Sequence, residues 1–398
     1  MKDAAGPLKQ HLIDPEICIR CYTCENTCPI NAIEHDDANV VVDPAICNFC
    51  MACIPVCPTG SIDEWRVVSE PYSLEDQYGW DELPAQEDVG EAGGAAGGIE
   101  ALDDAVAALL AEAHSGAGGR SRAPASAGKP SVNLYTAGKP AVATVTGNYR
   151  LTKDPDHDVR HIILDLGAQP FPVLEGQSVG VIPPGADAEG RPHAPRLYSV
   201  SSPRDGERAN YNNVSLTVKR DPGGVASNHL CDLALGDEVR LTGPFGATFL
   251  MPDDAEAPLL MICTGTGSAP MRAFTMRRQR TLRGGGGGRM TMFFGARTPD
   301  ALPYFGPLKK VPESLLSQHL VYSRAEGEEY VQDRMMAESD AVAALLGDPK
   351  CHVYVCGLRG MEEGVEKALT SIAEAVGEPW GALRERMRDE GRYHVETY

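Results

Sequence analysis

Eight cysteines in two runs of identical spacing constrain this chain more than any other feature. Cys18, Cys21, Cys24 and Cys28 follow the pattern C-x2-C-x2-C-x3-C, with Pro29 next. Cys47, Cys50, Cys53 and Cys57 repeat it, with Pro58 next. The flanks repeat too, HLIDPEIC resembling VVVDPAIC and CPINAIE resembling CPTGSID, so the segment is an internal duplication. Two-residue spacings curl the backbone around one centre and aim successive N–H groups at its sulfurs; each proline then redirects the chain. The other four cysteines, Cys231, Cys263, Cys351 and Cys356, are scattered. A disulfide framework suits a small secreted chain, whereas this one has 398 residues and a polar start, MKDAAGPLKQHLIDP, with no secretory signal. The clustered cysteines therefore read as metal ligands. Zinc also takes four cysteines, but usually as two CxxC pairs separated by a longer loop.

The spacing resembles the run of bacterial two-cluster ferredoxins, in which the fourth cysteine of each run ligates the other cluster. That resemblance implies one [4Fe–4S] cluster on Cys18, Cys21, Cys24 and Cys57, and a second on Cys28, Cys47, Cys50 and Cys53.

Composition sets the remaining bounds. The net charge of −20 argues against nucleic acid as a partner, because phosphate contacts need Lys and Arg. No apolar run is long enough for a membrane span, and a cytoplasmic location is the expectation. The composition changes abruptly along the chain. Residues 1–70 form the cysteine-rich domain. Residues 71–133 read as an acidic Gly/Ala/Ser/Pro-rich linker, with one helix expected in the stretch IEALDDAVAALLAEAHS. Residues 134–253 hold strand-like segments separated by turn signals, the pattern of an antiparallel β-barrel. In residues 254–398 apolar strands alternate with helices, as in a doubly wound parallel α/β domain. The run GGGGG at 284–288 reads as a surface turn between a helix and a strand. The expected fold is thus multidomain, α+β and α/β.

Within the barrel segment, Arg196-Leu197-Tyr198-Ser199 resembles the RxYS flavin signature of the ferredoxin–NADP⁺ reductase superfamily. An Arg fork matches pyrophosphate oxygens, and a Tyr ring can lie against an isoalloxazine. Gly224-Val225-Ala226-Ser227-Asn228 precedes a helical stretch, where a helix N-terminus favours a phosphate. Ser227 would also serve as a plain helix cap. The family uses this segment as its second flavin phosphate anchor, and the resemblance extends to Val218 and Lys219 just before it. Plant-type relatives place a longer loop with a Tyr, packed on the adenine, where this chain has only Arg220-Asp221-Pro222-Gly223. The adenine of FAD must then find another partner or be held less tightly.

In the last segment, Thr264-Gly265-Thr266-Gly267-Ser268-Ala269-Pro270 lies between a strand and a helix, as a phosphate cradle does. It resembles the GTGxAP nicotinamide-nucleotide loop of the same superfamily. Cys356-Gly357-Leu358-Arg359-Gly360-Met361 resembles the family's CGLxGM segment, and the carboxyl end, Tyr393 to Tyr398, resembles the plant-type terminus. By resemblance, Tyr398 stacks on the flavin face that the nicotinamide must occupy. When Tyr398 moves aside, Ser199, Cys356 and Glu396 position the nicotinamide for hydride transfer. Ser323 and Arg324 stand where the family reads the 2′-phosphate, and Tyr330 where it stacks on the adenine, so NADPH is the expected reductant. A family Lys nearby is replaced by Glu328 or Glu329.

The order of these parts implies an enzyme that moves electrons from NADPH through FAD to the two clusters. The linker would let the cluster domain reach first the reductase core and then an external acceptor. As a whole, the architecture resembles the reductase components (component A) of benzoyl-CoA 2,3-epoxidases. That family feeds a separate di-iron oxygenase component (component B) in aerobic benzoate degradation. Reductases that serve general ferredoxin pools or other oxygenases, and a non-enzymatic electron carrier, are the alternatives.

Overall fold

The computed structural model describes residues 8–398 except 17, 51, 55, 58, 60, 63–65, 69, 85–99, 114–120, 188–189, 208–210, 283–286, 304–307 and 309–310. Pro58 and most of the GGGGG run thus lie outside the described residues. The chain forms two compact units, one of Met1–Ala95, Asp165–Pro172 and Asp205–Asn213, the other of Ala96–Leu164, Val173–Arg204 and Val214–Tyr398.

In the first unit, β1 (Leu8–Gln10), α1 (Thr23–Thr27), β2 (Ile33–His35), β3 (Val40–Val42), β4 (Arg66–Val68) and α2 (Leu74–Tyr78) follow in order. β1 pairs with β4 and β2 with β3, both antiparallel, and a bridge joins Ile13 to Ile62. The duplicated flanks therefore meet around one small core of Ile13, Ile33, Val40, Val42 and Ile62, together with Cys24 and Cys53.

The domain does not stop at residue 70. Ser73 and Asp76 form a reciprocal capping box at the start of α2. The buried Gln77 amide then pairs with the Val42 backbone like a strand, accepting from its N–H at 3.1 Å and donating to its C=O at 2.9 Å. Asn39 Nδ2 donates to the carbonyls of Tyr78 and Trp80, and Arg66 Nη1 to that of Pro84. Residues 71–84, read from composition as linker, belong to this unit, because side-chain amides satisfy their backbone groups.

The second unit begins with α3 (Glu100–Ala113) and continues through β5 (Ala141–Arg150), β6 (Val159–Asp165), β7 (Ser178–Ile182), β8 (Arg196–Ser199), β9 (Asn213–Lys219), α4 (Val225–Asp232) and β10 (Glu238–Phe245). The strands form one sheet in the order β8-β7-β10-β5-β6-β9. β7–β8, β7–β10 and β5–β10 are antiparallel. A bridge between Val200 and Leu216 links the two edges and closes the sheet into a barrel. β5 alternates buried and exposed residues with period two, as a strand with one face in the core must.

Residues 85–99 and 114–120 of the expected linker lie outside the described residues, but the stretch next to the barrel is bound into the fold. Tyr135 and Gly243 exchange backbone hydrogen bonds, Asn133 N–H donates to Pro244, and Ser131 accepts from Gln177 Nε2. Asp253 N–H donates to the Ser126 carbonyl. Residues 126–133 are thus tied to the barrel.

The rest of the chain forms β11 (Leu259–Thr264), α5 (Ser268–Thr281), β12 (Met290–Ala296), β13 (Leu316–Tyr322), α6 (Val331–Ala337), α7 (Ser339–Gly347), β14 (His352–Gly357), α8 (Arg359–Val376), α9 (Trp380–Asp389) and β15 (Tyr393–Thr397). The strands make a parallel sheet in the order β13-β12-β11-β14-β15. Alternation along β11 shows that both faces are covered. Leu260 and Ile262 pack with α6, α7, α8 and α9, while Leu259, Met261 and Cys263 pack with Met271 and Phe274 of α5. The second core also takes Phe249 and Met251, which follow the barrel strands, so barrel and sheet are joined through it. Among the described residues no helix is long and apolar enough to cross a membrane.

Candidate functional site

The cysteine loops come first. Arg20 and Phe49, at matching steps of the two runs, both adopt positive φ (51° and 58°), and so does Tyr22 (57°), which caps α1. Left-handed residues turn a tight loop inward, and non-glycine residues adopt that conformation only where the surroundings demand it. Electrostatic interactions group the thiols. Cys24 lies close enough to feel the charge of Cys18 and Cys57, and Cys21 that of Cys57, whereas Cys53 feels Cys47 and Cys50 first and Cys24 after them. Cys28 Sγ accepts from Ala32 N–H at 3.2 Å.

Burial pushes the Cys24 thiol up to about 11 and the Cys53 thiol up to about 12. At Cys57 burial works the same way, but hydrogen bonds with Ser61 and Thr59 outweigh it and bring the group down to about 7. Among the described residues no three His, Cys, Asp or Glu side chains converge on a point suited to a single metal ion. Clustered thiols at this spacing are the donor set that iron–sulfur clusters take.

The second site is a cavity of about 820 Å³ in the second unit. β8 supplies one wall. Its register on β7 sets Arg196 opposite Val181 and Ser199 opposite Ser178, and Arg196, Leu197, Tyr198 and Ser199 all line the cavity. Burial raises the Tyr198 hydroxyl, so its ring stays neutral. Thr217 and Lys219 of β9 line the cavity as well. Val218, expected beside Lys219 at the flavin, is instead fully buried, because period-two alternation turns its side chain to the other face.

The turn before α4 is braced from inside. Asn228 Nδ2 donates to the carbonyls of Asp221 and Gly224, both at 2.8 Å, and Ser227 Oγ accepts from Asp221 N–H at 3.1 Å. Arg220 is held by Asp158 (3.0 Å), Asp232 (2.7 Å) and Asn228 (3.0 Å). Gly224, not Ser227, is the N-cap, and Val225, Ala226 and Ser227 form the first turn, where N–H groups have no partner within the helix. Arg196, Lys219 and this helix end together make a seat for a pyrophosphate.

The far side of the cavity sits where the order of the parallel sheet reverses, between β11 and β14, the crevice that binds ligands in such sheets. The Gly265–Gly267 turn follows β11 directly. A Cβ on Gly267 would lie 2.2 Å from the Cys356 carbonyl oxygen, so only glycine allows the two loops to approach. Gly357 has φ 146°, and a Cβ there would lie 2.4 Å from Thr264 Oγ1. That hydroxyl accepts from Leu358 N–H at 3.2 Å.

Cys356 and Glu396 face each other across β14 and β15, and both line the cavity. Burial, then Glu396 and Cys263, push the Cys356 thiol well above its ordinary range, so it is a neutral thiol. Tyr398 is pinned by its backbone: its N–H donates to Gly357 and its C=O accepts from Arg359 N–H. Its side chain is half exposed, and its hydroxyl bonds Thr266 Oγ1 at 2.7 Å. Ser199, Thr266, Cys356, Leu358, Glu396 and Tyr398 thus meet in one cavity.

Ser323, Arg324 and Tyr330 do not line it. They form a separate group just past β13, where Arg324 Nη1 lies 3.2 Å from Tyr330 Oη. The two neighbouring carboxylates have different partners. Glu328 lies 3.6 Å from Arg324, whereas Glu329 binds Arg334 through two hydrogen bonds of 2.6 and 2.7 Å. Sequence reasoning did not find His193, Thr217 or the α3 residues Leu109, Leu110 and Ala113, which also line the cavity.

A closed antiparallel barrel with a pyrophosphate seat, joined to a parallel sheet with a glycine turn at its switch point, defines a flavin- and nicotinamide-dependent oxidoreductase. Comparisons with known proteins agree. Residues 156–249 match the family "Oxidoreductase FAD-binding domain", residues 261–367 "Oxidoreductase NAD-binding domain", and residues 17–61 "4Fe-4S dicluster domain". Ferredoxin–NADP reductase of Synechocystis is 36% identical over 287 residues, covering 67% of this chain and 70% of that protein. The cyanelle enzyme of Cyanophora paradoxa is 37% identical over 288 residues, covering 67% and 79%. A solved variant of ferredoxin–NADP⁺ reductase from Plasmodium falciparum, in complex with 2′P-AMP, superposes with a TM-score of 0.55 at 25% identity, covering 68% of this chain and 100% of that one. The chain belongs to the ferredoxin–NADP reductase family, and it carries an iron–sulfur ferredoxin domain in addition.

Proposed function

We propose that this protein is an NADPH-dependent reductase whose ferredoxin domain carries two [4Fe–4S] clusters and delivers electrons to a separate di-iron oxygenase component that epoxidises benzoyl-CoA. The observation that carries the reductase part is the meeting of Ser199, Cys356, Glu396 and Tyr398 in one cavity beside the Gly265–Gly267 turn. Cys18, Cys21, Cys24 and Cys57 hold the first cluster, and Cys28, Cys47, Cys50 and Cys53 the second; the proximity of Cys24 and Cys21 to Cys57, and of Cys53 to Cys47 and Cys50, supports this reading, while Cys28 is assigned by the resemblance of the spacing.

Bound FAD supplies the conversion between a two-electron hydride donor and one-electron acceptors. The chain's own contribution is orientation. Because the Tyr398 backbone is fixed by Gly357 and Arg359, making room for a nicotinamide needs only a turn of its side chain and loss of the Thr266 hydrogen bond. Ser199 and the neutral Cys356 thiol then border the vacated space, and Glu396, 8% exposed, is the carboxylate placed to pass a proton towards solvent.

Ser323 and Arg324 support NADPH as the reductant, with the 2′-phosphate displacing Glu328 from an exposed ion pair. The names of the relatives and the 2′P-AMP complex support the same reading. The acceptor rests on the resemblance of the whole architecture. The test is NADPH oxidation by the purified chain with candidate oxygenases, with and without benzoyl-CoA. Coupled turnover confined to the benzoyl-CoA oxygenase is expected. Equal coupling to unrelated acceptors would overturn the acceptor, and a kcat/KM for NADH equal to that for NADPH would overturn the nucleotide.

A further inference from the structure

Helix α3 arises from a stretch whose composition marks it as linker, yet it has a purposeful face. Val106, Leu109, Leu110 and Ala113 follow the i, i+3, i+4, i+7 spacing of one helix side. Val106 is buried, Leu109, Leu110 and Ala113 are half-buried, and Ala107 and Ala108 beside them are exposed. Leu109, Leu110 and Ala113 line the same cavity as Arg196, Tyr198 and the turn before α4. The carboxyl end of α3 is moored to the other side of that cavity. Arg359 Nη2 donates to the Glu112 carbonyl and to its carboxylate, both at 3.3 Å, and Arg359 follows Leu358, a lining residue.

The rest of the lining leaves a task for this face. Arg196, Lys219 and the α4 N-terminus suit phosphate, and Tyr198 and Tyr398 are the phenol rings. The turn Arg220-Asp221-Pro222-Gly223 offers no ring to cover a purine. An apolar helix face along the cavity can do so, because a purine's flat surface is favourably removed from water against aliphatic side chains.

We propose that α3 is a wall of the FAD site, with Leu109 and Leu110 as cofactor-contacting residues, so that the tether to the ferredoxin domain is itself part of the flavin-binding structure. The test measures FAD dissociation from the full-length chain by equilibrium dialysis, and the quenching of bound-flavin fluorescence by iodide. Leu109→Asp and Leu110→Asp are expected to weaken FAD binding about tenfold each and to raise quenching. Leu109→Met should retain parental affinity, and Ala107→Asp, on the exposed side, should change nothing. Cluster absorbance and the thermal transition report folding. If an Asp variant fails to fold, the Leu109→Ala/Leu110→Ala double variant takes its place, with the same direction expected. An unchanged FAD affinity in the Leu variants overturns the proposal. A tighter affinity overturns it too, because α3 would then be a competitor for the cavity rather than a wall of it.

Discussion

Replacing Gly267 by alanine puts one methyl group where two loops touch. The new Cβ would stand 2.2 Å from the Cys356 carbonyl oxygen, 2.5 Å from its carbon and 2.7 Å from Gly357 Cα, against the 3.4 Å at which ordinary contact begins. All three neighbours are backbone, so none can rotate away. The turn after β11 and the end of β14 must part by about 1 Å, and a misplacement of that size costs about 100-fold when the step depends on orientation. We therefore expect kcat/KM for NADPH with a one-electron dye to fall about 100-fold, or about 2.7 kcal/mol of transition-state stabilisation. FAD content and cluster absorbance should not change, because Arg196, Lys219 and the cysteine loops are untouched. Gly360→Ala is the control. It lies three residues past Gly357, its Cβ would meet nothing within 4 Å, and as a residue of α8 it should if anything gain stability. Stopped-flow bleaching of the flavin separates hydride transfer from later steps. If Gly267→Ala kept its rate to within about threefold, or if Gly360→Ala lost as much, the reasoning from loop contact would fail.

Other outcomes follow from buried charge and from the cluster assignment. Burial holds His352 down to about 4 and His394 down to about 3. The unfolded chain therefore takes up protons on these groups first: their contribution to stability is whole above about pH 6.5 and drains away as pH falls towards their folded values. Urea unfolding between pH 7.5 and 4.5 should show up to about 2.7 kcal/mol lost per pH unit from the two together, and His394→Gln should remove about half of that slope. A slope unaltered by the substitution would count against it. Glu175 is fully buried; burial works to raise its carboxyl, but Arg204, with Arg277, holds it below the usual carboxylate range. Glu175→Gln leaves Arg204 with Asp253 as an ion-pair partner and should cost about 1–3 kcal/mol in denaturant unfolding at pH 7. Cys57→Ser should halve the iron and sulfide content and leave one reducible cluster by electron paramagnetic resonance; full retention of both would break the assignment.

What could be read from the sequence were features carried by local pattern. The cysteine runs, the apolar strands, and the glycine turn between β11 and α5 all rest on spacing over a few residues. Residues 71–84 and 126–133 read as linker in the sequence because what orders them is remote. Gln77 satisfies Val42, 35 positions away, and Gln177 satisfies Ser131, 46 positions away. No composition window reports such bonds. The resemblance names a segment around Val218, whereas the pleat decides which of its side chains face the cavity. The helical period of α3 was legible, and its apolar face was the available signal that it covers something. What it covers could come only from the fold. Glu328 and Glu329 could not be told apart, since their difference lies in Arg324 and Arg334, which are brought to them by the turn after β13 and by α6 respectively.

That division between the two glutamates bears on how such a reductase diverges. Glu329 is committed to Arg334 by a two-pronged bond beside α6, and replacing it would disturb the chain's path into that helix. Glu328 makes an exposed contact with Arg324, so exchanging it costs the fold little. A basic residue there would deepen the discrimination for a phosphorylated nucleotide, and a shorter neutral one would relax it. Neither change draws on the stability of the sheet. If Arg324 reads the 2′-phosphate as proposed, the choice of electron donor is held at an exposed position, one residue away from a position tied into the fold.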